Sequence, residues 1–336
     1  MEKKSFQFST TSVDYYFGSG FSKLKELVNP NKTVLITDEN VYGFHTAKFK
    51  NWDTIVLKPG EQFKVQATVD AIIEQLIEMG ADRSTTLVGI GGGVITDLTG
   101  YVASVYMRGI SFGFVPTTLL ALVDASIGGK NGIDVGVYKN MVGAIQQPAF
   151  ILHDLVFLNT LPETEWKSGF AEIIKHACIK DATMFKALEE NTIRFYQNKK
   201  KLVGDLIQRN ALIKTKVVQL DEFEKGERKM LNFGHTLGHA LENQYELTHG
   251  EAISIGMAYA AGLSQTVTGF RQADRVVALL EKYQLPTFAQ FNKDKVIEVL
   301  SKDKKKVRDS IQFILLERIG KAAIKPITIN QIYQTL

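Results

Sequence analysis

Short β-branched runs alternate with amphipathic stretches through the first half of the chain. Thr33-Val34-Leu35-Ile36-Thr37 and Thr54-Ile55-Val56-Leu57 are each stopped by a polar or Gly/Pro cluster and predict strands. Between Val65 and Glu78, Val65, Val69, Ile72, Ile73, Leu76 and Ile77 recur at helical spacing, with Gly80 as terminator. That pattern predicts a helix covering a sheet. A third strand, Thr85 to Ile90, runs into Gly91-Gly92-Gly93 and a helical stretch, and Ile110 to Val115 supplies another. Strands alternating with helices predict a parallel sheet of the nucleotide-binding kind.

After about Leu158 the pattern changes. Long helical periodicities, Glu165 to Asn191 and Lys201 to Val218, replace the β-branched runs, and one late β-like run, Ile311 to Leu316, has no evident place. A chain of 336 residues exceeds what one small core needs. The expected organisation is therefore residues 1–158 as an α/β Rossmann-like nucleotide-binding domain and residues 159–336 as a mainly α-helical metal- and substrate-binding domain, with a boundary near Thr160-Leu161-Pro162.

Composition removes several function classes. The charged start, Met1 to Phe6, has no apolar stretch behind it, and runs such as Phe112 to Val123 are too short to span a bilayer, so a cytoplasmic protein with no membrane partner is expected. The single cysteine, Cys178, excludes an intramolecular disulfide and a thiolate-rich cluster, so any metal must rest on His and carboxylate. A net charge of +4 suits anionic substrates without implying nucleic acid, and no nucleic-acid motif accompanies the lysine runs. Lys199-Lys200-Lys201 is read as a solvated helix end.

Three clusters carry candidate chemistry. Gly89 to Asp97 sits at a strand-to-helix turn, where bare backbone and a helix N-terminus can hold a diphosphate, although Val94 stands where a third dinucleotide-loop glycine would be. Asp38, directly after the first strand, either accepts from a ribose hydroxyl or caps the following segment. A second cluster lies between Glu224 and Leu241. If that stretch is helical, Glu224, Arg228, Asn232, His235 and His239 share one stripe. His249 follows, and upstream Glu172 and Lys175 stand one turn apart on another predicted helix. Two histidines and a glutamate make a catalytic zinc set with an open position. Thr236 occupies the place where the H-E-x-x-H motif carries its general base, so a metalloprotease is not expected. The third cluster, Asp124 to Asn131 with Lys139-Asn140, pairs glycines with lysines and is either a small-anion site, phosphate being the obvious ligand, or a surface loop.

In this order the clusters resemble the 3-dehydroquinate synthase family. The segments that carry the resemblance are Gly60 to Lys64, Gly91 to Asp97, Pro116-Thr117-Thr118, Asp124 to Lys130, Lys139-Asn140, Glu172 to Lys175 and Asn232 to His239. It implies that Glu172, His235 and His249 hold zinc or cobalt, and that NAD lies along Asp38, Glu61, Lys64, Gly92, Gly93, Val94, Asp97, Thr117, Thr118, Lys130 and Lys139. Substrate contacts are implied for Asp124, Lys130, Asn140, Lys175, Lys214, Arg228, Asn232 and His239, with Glu224 counted beside them, for a lysine among Lys304 and Lys305, and for Arg108 at a phosphate position. The implied reaction oxidises a ring hydroxyl of a seven-carbon keto-acid sugar phosphate, eliminates phosphate, returns the hydride and closes a new ring by an aldol step. The implied assembly is a homodimer. Asn131 and Asp134 depart from the Thr and Asn that the family often has there. The competing readings are another sugar-phosphate cyclase, a metal-dependent polyol dehydrogenase, and a non-catalytic NAD-binding regulator.

Overall fold

The fold was obtained as a computed structural model that describes residues 2–136, 138–242, 244–301, 306–307 and 310–336. It divides into two compact units, one of residues 1–165 with 204–215 and one of residues 166–203 with 216–336. The long helix Lys200–Leu220 lends its middle to the first unit.

The first unit is built on a seven-stranded sheet. Its strands are β1 (Glu2–Gln7), β2 (Ser12–Phe17), β3 (Thr33–Asp38), β4 (Asp53–Leu57), β5 (Thr86–Gly91) and β6 (Ser111–Pro116), while β7 (Lys130–Val135) and β8 (Tyr138–Ile145) form a separate hairpin and β9 (Phe150–His153) rejoins the sheet. The order is β1-β2-β9-β6-β5-β3-β4, parallel except for the antiparallel β1–β2 pair. Strands β3, β5 and β6 are buried almost throughout, as a sheet covered on both faces requires. Leu35, Val88, Ile90, Val115 and Leu152 pack with Phe21, Phe49 and Phe157 into one apolar cluster. The chain runs β3 to β4 on one side and returns to β5 on the other, so the sheet reverses direction between β3 and β5. Ligands of open α/β sheets bind at the carboxyl ends beside such a reversal.

The second unit is largely helical. It holds most of Glu163–Lys180, then Ala182–Glu190, His235–Glu242 and His249–Thr268, with shorter helices. The expected single helix from Glu165 to Asn191 is divided because the Asp181 carboxylate accepts from Met184 N at 2.9 Å and starts a new helix. The unplaced run at Ile311 is β11 (Ser310–Arg318), with β10 (Lys306–Val307) before it and β12 (Lys321–Thr328) paired antiparallel to it. Ser264 ties this sheet to the helix His249–Thr268 by accepting from Leu316 N at 2.9 Å. Lys199, Lys200 and Lys201 are exposed at the start of their helix, as expected.

Candidate active site

The nucleotide-type loop stands at the sheet reversal. Asp38 ends β3 and Gly91 ends β5, with Thr37 and Ile90 in register between those strands. The helix Gly93–Val105 begins there with Gly92 as its cap, no side-chain acceptor on its first amides and no acidic residue in its first turn. Thirteen aligned peptide units with unclaimed amides favour an anion at that end. Thr117, whose amide donates to Gly91 O at 2.9 Å, has a buried Oγ1 without a hydrogen-bond partner. An orphaned hydroxyl beside a bare helix end fits a dinucleotide. Thr118 caps the following turn through Ala121 N at 3.1 Å. Asp38 serves as a helix cap, its Oδ1 accepting from Val41 N at 2.9 Å, and burial raises its pKa against the help of that amide.

Around Lys64 the other first-unit candidates meet. Its ammonium, almost wholly buried, lies 2.6 Å from Asp97 Oδ2, donates to Asn140 Oδ1 at 2.7 Å and stands 3.9 Å from Glu61. Burial alone would lower the Lys64 pKa, but the charges of Asp97 and Glu61 outweigh it and raise it, so the group stays charged. Lys139 reaches Glu61 at 3.8 Å. Asp124 sits in a π-type turn, Ala121–Ala125, closely paired with Lys214, which also donates to the Asp124 carbonyl at 2.8 Å. Lys130 opens β7, and Val94 is the second residue of the loop helix. Arg108 is not drawn into this group by any described contact. It is exposed on a turn where Met107, Arg108 and Gly109 all have positive φ, 49°, 67° and 114°.

The metal candidates converge within the second unit. Glu172 Oε1 lies 3.0 Å from His249 Nε2 and 3.4 Å from His235 Nε2, and one donor atom from each residue falls within 4.8 Å of the others. Adjacent donors around an ion with bonds of about 2.1 Å are separated by roughly 3.4 Å, so the set has the right spacing. Its outer contacts also fit. His235 Nδ1 donates to Phe233 O at 3.1 Å and His249 Nδ1 faces Glu242 Oε2 at 3.5 Å, which turns both Nε2 atoms toward Glu172. Without an ion, burial would lower the His249 pKa, but Glu172 and Glu242 overcome it and push it up to about 10.

Two glycines allow this convergence. A Cβ on Gly250 would lie 2.4 Å from Ser168 Cα, so the start of the His249 helix can approach the Glu172 helix only without a side chain there. Gly234, at φ 79°, ends a 3₁₀ turn and starts the helix His235–Glu242. The single helix expected from Glu224 to Leu241 is therefore absent. Glu224 has φ 58°, Glu227–Asn232 is a 3₁₀ turn, and the Asp221 carboxylate gathers the amides of Lys225, Gly226 and Arg228, which a continuous helix would have used internally. Despite that, Asn232 Nδ2 donates to Glu224 Oε1 at 2.6 Å, and the His239 ring lies 5.1 Å from His235 and 6.5 Å from His249. Lys175 forms a close buried ion pair with Glu172. Arg228 is buried, and its Nη1 donates to Glu222 O at 2.6 Å. Lys304 and Lys305 lie outside the described residues.

Sequence reasoning missed Glu242 and Asp221. Glu242 stands seven residues after His235, on the same helical face, which was a usable signal. Asp221 acts through a loop whose shape periodicity does not encode.

Family comparison decides among the cyclase, dehydrogenase and regulator readings. The 3-dehydroquinate synthase N-terminal model matches residues 54–168 and the C-terminal model residues 169–306. A 3-dehydroquinate synthase from Campylobacter curvus (strain 525.92) is 40% identical over 323 residues, covering 93% of this chain and 92% of the relative. The chain belongs to the 3-dehydroquinate synthase family. Among solved structures, a 2-deoxy-scyllo-inosose synthase complexed with carbaglucose-6-phosphate, NAD+ and Co2+ superposes with TM-score 0.85 at 26% identity, covering 99% of this chain and 98% of the other. A 2-epi-5-epi-valiolone synthase from Streptomyces hygroscopicus subsp. jinggangensis 5008, with NAD+ and Zn2+ bound, shares the fold at TM-score 0.88 and 24% identity, covering 100% and 98%. The α/β unit followed by a largely helical unit is thus the architecture of this family's relatives as well as that expected from the sequence.

Proposed function

We propose that this chain is a phosphate-eliminating carbon–oxygen lyase that converts 3-deoxy-D-arabino-heptulosonate 7-phosphate to 3-dehydroquinate and inorganic phosphate, in the shikimate route to chorismate and aromatic amino acids. The observation that carries the reading is the convergence of Glu172, His235 and His249, with Lys175 and His239 beside them, in a chain of this family. Those three side chains hold one divalent ion, zinc or cobalt, and the loop at Gly92 and Gly93 with Thr117, Asp97 and Lys64 holds NAD. When bound, NAD supplies a reversible hydride acceptor and the ion a Lewis acid for substrate oxygens.

The remaining roles fall to the chain's own groups. Lys130, Lys214, Arg228 and Arg108 meet the substrate's phosphate and carboxylate, which charge-assisted hydrogen bonds recognise best in dry surroundings. Asn140, Asn232 and Asp124 orient hydroxyls. His239 holds or moves a proton on a substrate oxygen, and Lys175 stands against the Glu172 carboxylate as its buried ion-pair partner. Residues 1–158 and 159–336 are proposed as the corresponding functional halves. A cytoplasmic homodimer completes the reading. It is supported by the family resemblance, by the absence among the described residues of any helix long and apolar enough to cross a membrane, and by the exposed apolar side chains Tyr138, Met141, Val142 and Ile145 on β8, which a second copy would cover.

The test supplies substrate in large excess over NAD and follows phosphate and NADH absorbance together. Phosphate far exceeding the NAD supplied, without matching NADH, is expected. Stoichiometric NADH, or phosphate release that stops at one equivalent per NAD, overturns the reading. The 2-deoxy-scyllo-inosose reaction is the second reading, favoured by the fold likeness, and glucose 6-phosphate supplied in the same assay tests it.

A further inference from the structure

A closed cycle of three hydrogen bonds joins the end of the Glu61 segment to the β7–β8 hairpin. Asp134 N–H donates to the Lys64 carbonyl at 2.8 Å, Lys64 Nζ donates to Asn140 Oδ1 at 2.7 Å, and Asn140 N–H donates to Asp134 Oδ1 at 2.7 Å. Lys64 and Asn140 are candidate site residues, whereas Asp134 has been assigned no role. In the hairpin register Ile133 faces Val142 and Val135 faces Tyr138, so Asp134 alone lies opposite Lys139, Asn140 and Met141. The surplus residues bulge, and Asn140 takes φ 54°. A left-handed backbone is costly for a residue with a Cβ, least so for Asn, and is kept where the surroundings over-determine it. Here the amide is fixed by the Asp134 carboxylate and the side chain by Lys64.

We infer that Asp134 is a positioning residue that holds Asn140 in place for the substrate, an inference that rests on the proposed contact between Asn140 and the sugar phosphate. Asp134 touches no reacting atom in this assignment. It acts by accepting from the Asn140 amide within the bulge, and because its own amide is anchored on Lys64, it sets the hairpin's distance from the Glu61–Lys64 segment. An Asn at this position keeps an Oδ1 acceptor, so the amide–acceptor contact survives the loss of charge while an Ala leaves the amide unpaired.

The experiment compares Asp134→Ala, Asp134→Asn, Asn140→Ala and the double Ala variant in the metal-loaded, NAD-saturated enzyme. Asp134→Ala is expected to raise KM for the sugar phosphate roughly tenfold, the usual consequence of losing one charge-assisted hydrogen bond, with kcat changed much less. Asp134→Asn restores most of that loss. In the Asn140→Ala background, Asp134→Ala adds no further rise, because a residue that works through another has nothing left to position. Amide exchange at Asn140 is expected to quicken in Asp134→Ala and to stay near the wild-type rate in Asp134→Asn. Additive effects on KM, or unchanged exchange in Asp134→Ala, overturn the positioning role and leave the proposed reaction standing. Wild-type kinetics in Asn140→Ala overturn the substrate contact itself, and the inference with it.

Discussion

Replacing Gly250 with Ala should cost both stability and metal, although Ala is the better helix former. The added Cβ would stand 2.4 Å from Ser168 Cα, against ordinary contact beginning near 3.4 Å, so the two helices must part by about 1 Å. Helix propensity returns at most about 1 kcal/mol. Overpacking of a rigid contact costs about 1 to 3 kcal/mol, so the net penalty runs up to about 2 kcal/mol. The same displacement moves His249, the preceding residue, away from Glu172, where their donor atoms are 3.0 Å apart. Gly262 on the same helix is the control, since a Cβ there meets nothing within 4 Å. Gly262→Ala should therefore be neutral or stabilising by up to about 1 kcal/mol and keep its metal. Calorimetric unfolding with chelator and with zinc, together with elemental analysis of the purified variants, measures both effects. A Gly250→Ala protein as stable as Gly262→Ala, with full metal occupancy, would refute the close-approach argument.

Other expectations follow from single side chains. Glu242→Ala should weaken zinc affinity roughly 10- to 100-fold, the usual worth of an outer partner to a ligating histidine, and chelator competition measures it; unchanged affinity would remove Glu242 from the site. Thr117→Val replaces an unpartnered buried hydroxyl with an isosteric methyl, so the NAD-free protein should gain about 1 kcal/mol while NAD binding weakens several-fold in fluorescence titration. Gain without weakening would place the cofactor elsewhere. Burial lowers the His153 pKa to about 4, so the unfolded chain takes up this proton first as pH falls. The neutral ring's contribution is present above about pH 6.5 and is lost between there and pH 4, roughly 3 kcal/mol in all. Urea unfolding at pH 7 and pH 4.5 should show a shallower pH slope in His153→Phe, and equal slopes would contradict the assignment.

Legibility in the sequence followed burial. Strands β3, β5 and β6 were readable because covered parallel strands are continuous apolar runs, and the helix Gln66–Glu78 because its buried positions Val69, Ile72 and Leu76 keep helical spacing. Strand β1 carries Lys3 and Lys4 at an exposed sheet edge, and β9 has only four residues, so neither offers enough periodicity to register. The run at Ile311 had no visible partner because β12, Lys-Ala-Ala-Ile-Lys-Pro-Ile-Thr, lacks a period-2 alternation and contains Pro326. In each case the missing information was which other segment would cover the strand.

The candidate site was legible for a different reason, and that difference explains why the long helix assumed from Glu224 to Leu241 is absent. Glu172 and Lys175 are one turn apart on a continuous helix, so local spacing alone places them together. The histidines were grouped on the assumption of one long helix, which the structure does not have, yet they converge. Helical continuity was not what brought them together. Gly234 turns the chain so that the His235 helix starts afresh, and Gly250 lets the next helix come down against Ser168. The first residue of that next helix is His249, fixed there by Thr248, which accepts from Glu251 N in a capping box spelled openly as Thr-x-x-Glu. A residue whose position depends on where a helix begins is better sought through caps and close-packed glycines than through the 3.6-residue period, because a cap fixes a terminus while periodicity fixes only a face.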